Sequence, residues 1–354
     1  MKIFVLIAGG RSGSDFFQSL LDGHSSICQL PGPFYYDIFW DQIKDIKEVN
    51  YISDKFFNDY IYFFDSRKNL IERHNMLGKN KNGFFTVSKK KFTYKFSKLM
   101  EGKKINKLNI LINLNLAYSF ASGENIKKKK LLILHLHHIY RLKFLDNIKY
   151  EIIYMIRDPL ALISSFFKNW HNYNNNSSWF YYFNIHRVLR GIYEIVEYKK
   201  KVHVIQLEKL HLKNFNVMRK FCKISKIKYE KSMKKSSYHG KTWWGDSWSK
   251  KYLNGINPKF GNKINEKIFF KHDINFIESY LKDFMINYKY IFRSKLETNS
   301  LSKFLPFKME IKILKRTVRS FDIKNFILII YYYLRRQFFM RKDKFIYKFP
   351  NSIC

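Results

Sequence analysis

Lys2-Ile3-Phe4-Val5-Leu6-Ile7-Ala8, then Gly9-Gly10-Arg11-Ser12-Gly13-Ser14-Asp15, then Phe16-Phe17-Gln18-Ser19-Leu20-Leu21: this opening stretch decides the fold. The run Ile3 to Ala8 has the length and β-branched content of a buried strand. Phe16, Phe17, Leu20 and Leu21 recur at helical spacing. Between them lies a turn of small residues carrying one cation, Arg11. A strand, a glycine-rich turn and a helix cradle a phosphate, because backbone N–H groups and the helix dipole point at one spot. The turn lacks the full G-x-x-x-x-G-K-[ST] pattern, so no Lys-Ser/Thr pair is placed to hold Mg²⁺ and a triphosphate. Gly10, Arg11, Ser12, Gly13 and Ser14 suit a single phosphate group better.

Working outward, short apolar runs alternate with helical patterns. Ser26 to Gly32 reads as a short strand ending in a turn, and Lys107 to Phe120 as a helix stopped near Gly123. Leu131 to His137 and Glu151 to Ile156 read as strands. Arg157-Asp158-Pro159 ends the second of these. Asp158 suits an N-cap and Pro159 the first helical position. Trp179 to Tyr198 is a long helical pattern, Val202 to Leu207 a strand, and Leu210 to Ile227 mostly helix. Asp273 to Phe284 is amphipathic, with Ile274, Ile277, Leu281 and Phe284 on one face. The alternation predicts a three-layer α/β/α fold with a central parallel sheet covered on both sides. Residues 34–125 are the least legible part, rich in aromatics and lysine. Beyond about residue 300 the chain turns more basic.

The 66 Lys and Arg residues against 28 Asp and Glu give a formal charge of +38. Such a balance suits nucleic acid, an acidic membrane surface or a polyanionic ligand. The lysines are spread along the whole chain, as a biased coding composition also produces. Cys28, Cys222 and Cys354 have neither metal nor redox spacing, which points to a reducing, cytoplasmic setting. The apolar run Ile3 to Ala8 is too short for a signal peptide. Phe326 to Leu334 is too short to span a bilayer. With Arg335-Arg336 and Arg341-Lys342 beside it, that run suits peripheral contact with an anionic inner membrane face.

A second motif sharpens the first. Arg157 stands at the carboxyl end of a buried strand, where α/β sheets bind ligands, and Ser165 about two helical turns on. An Arg fork and a Ser hydroxyl can grip one more phosphate. Gly10-Arg11-Ser12-Gly13-Ser14 followed by Leu20-Leu21 and His24 resembles the 5′-phosphosulfate loop of the PAPS-dependent sulfotransferases. Tyr154 to Ser165, with Arg157-Asp158-Pro159, resembles that family's 3′-phosphate motif. Gly240-Lys241-Thr242-Trp243-Trp244-Gly245-Asp246 resembles its late loop over the cofactor, with Lys241 as the cation near the 3′-phosphate.

The resemblance implies a P-loop-type fold binding 3′-phosphoadenosine-5′-phosphosulfate (PAPS) without a metal. Residues 1–300 would form the sulfotransferase domain, with 34–125 as an acceptor-side insertion and 301–354 as a basic C-terminal extension. The implied activity is sulfuryl transfer to a hydroxyl or amine. The aromatics of 34–125 and the loop His171 to Ser178 suggest a carbohydrate or glycolipid acceptor. The family implies a His or Glu base near the end of the preceding strand, here Leu134-His135-Leu136-His137-His138. His137 is favoured, with His135 beside it and His138 on the other face. Arg11 would stabilise the leaving group. Glu208 reads as structural. Asp15 departs from the pattern, standing where the family has a hydroxyl. A P-loop kinase and a non-enzymatic nucleic-acid or membrane binder are the competing classes.

Overall fold

The chain is described by a computed structural model, covering residues 1–8, 10–172, 189, 195, 198, 200–247, 252–253, 255–258, 264, 266–296, 304–342 and 349–353. Five strands form one parallel sheet: β1 (Lys2–Ala8), β2 (Ile27–Gln29), β3 (Leu131–His137), β4 (Glu151–Ile156) and β5 (Val202–Gln206). Their order is β2-β3-β1-β4-β5. β1 is central because Ile3 to Ala8 are all buried, as are Leu131 to Leu136 in β3 and Ile152 to Ile156 in β4. Strands buried on both faces read as unbroken apolar runs rather than alternation. The three-layer α/β arrangement read from the sequence is therefore the one observed.

β1 runs into α1 (Ser14–Leu20) through a turn in which Gly10, Arg11 and Gly13 all have positive φ. At Gly13 (φ +82°) an added Cβ would lie 2.4 Å from Leu207 Cδ1. The turn is thus pressed against α8 (Leu207–Leu212), which follows β5 directly.

Residues 34–125 fold into α2 (Tyr36–Ile43), α3 (Val49–Asp59), α4 (Ile61–Phe64), α5 (Lys89–Met100) and α6 (Lys107–Ala121), with one 3₁₀ turn at Ser66–Lys68. Their aromatic rings pack on one another. Phe34 lies 5.3 Å from Phe56 and 5.0 Å from Tyr60, and Phe56 lies 5.5 Å from Phe92. Phe39, Phe56, Phe63 and Phe92 are fully buried. These rings are a core, not open platforms for a sugar, which removes the ground on which the whole segment suggested a carbohydrate.

β4 leads into α7 (Pro159–Asn172), with Asp158 Oδ1 accepting from Ala161 N at 2.9 Å as the N-cap. The segment Leu210 to Ile227 lies in α8 and α9 (Asn214–Ser225), separated at Lys213. Asp273 to Phe284 spans α10 (Lys271–Tyr280) and α11 (Lys282–Tyr288), with a break at Leu281. Ile277, Leu281 and Phe284 keep the expected buried face across that break. The helical pattern at 179–198 and the Asn-rich loop at 171–178 fall largely outside the described residues.

α12 (Lys308–Arg319) and α13 (Ile323–Lys342) follow. The chain then returns to the sheet. Ile353 N donates to Val204 O at 2.9 Å, and Ser352 bridges Val204 in parallel beside β5.

Gly13→Ala combines a disfavoured φ with the Leu207 clash. We expect it to lower stability by about 1–3 kcal/mol. A urea midpoint equal to that of the wild type would show that the turn accommodates a side chain.

Candidate active site

The polar groups stand at the carboxyl ends of three adjacent strands, β3, β1 and β4, the edge of the sheet where open α/β folds take ligands. Arg11 follows β1 and Arg157 follows β4. Ser165 stands on α7, two turns from its start. Arg11 Nε donates to Ser165 Oγ at 3.3 Å, and Arg157 Nη1 donates to the Arg11 carbonyl at 3.3 Å. The two motifs read separately from the sequence are therefore in direct contact. Burial first, and the neighbouring Arg11 charge second, push the Arg157 pKa down, while Glu208 and Asp158 act the other way.

Glu208 also holds the backbone behind Arg157. Its Oε1 accepts from Asp158 N at 2.9 Å, and its Oε2 from the Tyr290 hydroxyl at 3.3 Å. Asp158 Oδ2 in turn accepts from Arg293 Nη2 at 3.0 Å. The strand-to-helix corner is fixed by charge-assisted bonds on every side.

A second layer closes over Arg11. Asp22, at the end of α1, accepts from Ser237 Oγ, His239 N and Gly240 N at 2.8 to 3.0 Å. That anchors a hairpin of β6 (Ser237–Tyr238) and β7 (Lys241–Thr242). The loop after β7 is then strapped to residues 71–78. Trp243 Nε1 donates to Glu72 O at 2.6 Å, Trp244 Nε1 to Gly78 O at 2.7 Å, and Ser247 N to Ile71 O at 2.7 Å. This places Asp246 Oδ2 2.9 Å from Arg11 Nη1. The tryptophans are packing struts, and the residue they deliver is a carboxylate.

Glu72 comes to the same place. Its Oε2 is buried without a hydrogen-bond partner. Burial, then the Asp15 and Asp246 carboxylates, hold its pKa well above the ordinary carboxylate range, with Arg11 opposing.

The histidines form a relay. β3 pairs with β1 in register up to Leu6–His135, then shifts so that Ile7 faces His137, and His137 takes a left-handed φ of 66°. His135 Nε2 and His137 Nδ1 lie 2.9 Å apart, and His135 Nδ1 lies 2.8 Å from Gln18 Oε1. Gln18 Nε2 donates to Leu30 O at 2.7 Å, which turns its carbonyl oxygen toward His135. His135 must then donate from Nδ1 and accept at Nε2 from the His137 Nδ1–H. That tautomer leaves the lone pair of neutral His137 on Nε2. Burial first, and His137 second, push the His135 pKa well below its ordinary value. Burial also lowers His74 to about 3, and His211 and His239 to about 4.

The remaining sequence candidates are placed as follows. Ser12 is buried, its hydroxyl donating to the Gly10 carbonyl at 3.2 Å, and Ser14 opens α1. His24 is a buried strut, its Nε2 2.8 Å from Lys228 O. His138 stacks between Tyr35 and Tyr140, with Arg141 over the Tyr35 ring at 4.2 Å. Asp15 Oδ1 lies 3.8 Å from His135 Nδ1. Lys241 is exposed and donates to the Phe84 carbonyl, and the bonds joining Arg11, Ser165 and Arg157 do not include it. Sequence reasoning missed Gln18, Glu72 and the pairing of Asp246. Gln18 left a signal, a polar residue on the apolar side of a short helix. Glu72 left none.

Two measurements follow from this geometry. The His135 ring should stay neutral at about pH 6, where an unperturbed imidazole near 6.5 is largely protonated. Its imidazole NMR shifts should not move between pH 7 and 6. Unfolded histidines take up protons there that the buried ones refuse. Their contribution to stability is therefore complete above pH 6.5 and lost as pH falls toward the folded values. In the second, Asp246→Asn removes the carboxylate competing for Arg11. It should tighten binding of adenosine 3′,5′-bisphosphate several-fold by calorimetry, whereas equal or weaker binding would make the pair part of the ligand cradle.

No family model and no curated protein matches the chain. Solved structures do. The chain is similar to the sulfotransferase domain from the Synechococcus PCC 7002 olefin synthase, at 15% identity and TM-score 0.39, over 73% of this chain and 84% of that one. It is also similar to the sulfotransferase domain from the curacin biosynthetic pathway, at 16% identity and TM-score 0.39, over 90% and 97% respectively. Both of these structural neighbours are sulfotransferase domains.

Proposed function

We propose that the protein is a sulfotransferase that moves a sulfuryl group from PAPS to a hydroxyl or amine of an acceptor. The observation that carries this reading is the meeting of Arg11, Arg157 and Ser165 beside a histidine relay, at the ends of adjacent strands.

The donor set fits a bisphosphorylated nucleotide. Two guanidinium groups and a serine hydroxyl converge, and Arg11 already holds an anionic group, the Asp246 carboxylate. Arg157 and Ser165 would take the 3′-phosphate, and Arg11 with the Gly10 to Ser14 turn the 5′ end. Bound there, PAPS supplies the sulfuryl group, with its 5′-phosphate as the leaving group.

The chain's own residues supply the rest. Nε2 of His137 receives the acceptor proton as the new bond forms. His135 and Gln18 hold that ring in the tautomer with its lone pair on Nε2. Arg11, released from Asp246, balances charge on the departing phosphate. The stack of Tyr35, His138 and Tyr140, with Tyr140 half exposed, forms a ledge next to His137. Flat aromatic rings beside a base suit a sugar ring, so a carbohydrate or glycolipid is the acceptor class we favour.

Adenosine 3′,5′-bisphosphate should raise the melting temperature and ATP with Mg²⁺ should not. A shift with ATP and Mg²⁺ alone would overturn the reading. Arg157→Ala should weaken nucleotide binding by roughly 10- to 100-fold, the worth of one charge-assisted bond. His137→Ala should bind as the wild type does and lose about 10²- to 10⁴-fold in turnover of labelled sulfate.

A further inference from the structure

The last long helix carries a feature that the crevice does not use. On α13, Ile323, Phe326, Ile327, Ile330, Leu334 and Phe338 are between 39% and 73% exposed, and Tyr331 is half exposed. At 100° per residue they share one arc of about 140°. Phe321, in the turn before the helix, is 90% exposed and adds to the apolar surface at that end. The opposite face is the anchored one. Ile329 and Arg336 are buried there, and Arg336 Nη2 donates to Glu310 Oε2 of α12 at 2.7 Å. A contiguous apolar patch of this extent marks a contact surface.

The charge around it selects the partner. Residues 308–342 contain ten Lys and Arg and two acids. Both acids are engaged within the helix pair, Glu310 with Arg336 and Asp322 with the Asn325 backbone N–H at 3.0 Å. Two copies meeting through this face would bring like charges together. An anionic surface would instead be attracted to the basic flanks while the apolar arc sinks into its boundary. Among the described residues no helix is long and apolar enough to cross a membrane. An exposed apolar arc in a strongly basic helix pair is the composition of a helix that lies along a bilayer.

We propose that α13 docks in plane on an anionic phospholipid surface, with the stripe from Ile323 to Phe338 in the acyl boundary. The full chain should co-sediment with phosphatidylcholine vesicles containing about 30% phosphatidylserine, and not with pure phosphatidylcholine. The triple substitution Ile327→Ser, Leu334→Ser and Phe338→Ser keeps every charge. It should weaken binding at least about ten-fold while leaving stabilisation by adenosine 3′,5′-bisphosphate unchanged. Should the triple variant fail to fold, Ile327→Ser alone should still lower binding measurably. Wild-type and variant proteins binding alike would overturn insertion and leave only net charge. A dimer in sedimentation velocity that the substitutions dissolve would assign the face to a second copy and overturn the proposal. Absence of vesicle binding by the wild type at low salt would do the same.

Discussion

Two guanidinium groups lie side by side, half-buried at the ends of the central strands, and the surrounding chain is arranged around that constraint. Like charges brought out of water raise each other's cost, so each needs an opposing carboxylate or a ligand. Arg157 has Glu208 and Asp158 behind it, and Asp158 is itself tied to Arg293. Arg11 has Asp246 in front, on a loop fastened by two tryptophan N–H bonds. The difference between the two matters. The support behind Arg157 is deep and built into a strand-to-helix corner. That of Arg11 sits on the loop after the hairpin and is partly exposed.

The histidine pair depends on an irregularity of the sheet rather than on its regularity. β3 follows β1 faithfully until the end of the ladder, then slips, and His137 adopts a left-handed conformation with φ of 66°. Strain at such a position is held only when neighbours over-determine it. Here Gln18, reaching from the buried side of α1, fixes His135, and His135 fixes His137. A glutamine amide thus sets which nitrogen of the second ring is basic.

The parts legible in the sequence were those governed by local periodicity and strand-end chemistry. The apolar runs placed all five strands of the sheet and Asp158-Pro159 marked the start of α7, while the structure adds that Arg11 bonds Ser165 and that Arg157 bonds the Arg11 carbonyl. What stayed hidden depends on long-range contacts. The aromatics of 34–125 looked like a binding surface because periodicity does not tell a ring in a core from a ring on a ledge. Glu72 reaches the crevice only because residues 71–78 are strapped to a loop some 170 positions later. Lys241 was placed by analogy of position, but its side chain follows the hairpin to Phe84.

The return of residues 352–353 to β5 has a further consequence. β5 is an edge strand, and unpaired edges are templates for association with other chains. The cover is a bridge at Val204 made by Ser352, 148 positions downstream. Residues 352–353 thus shield part of the outer ladder of β5 from pairing with another chain.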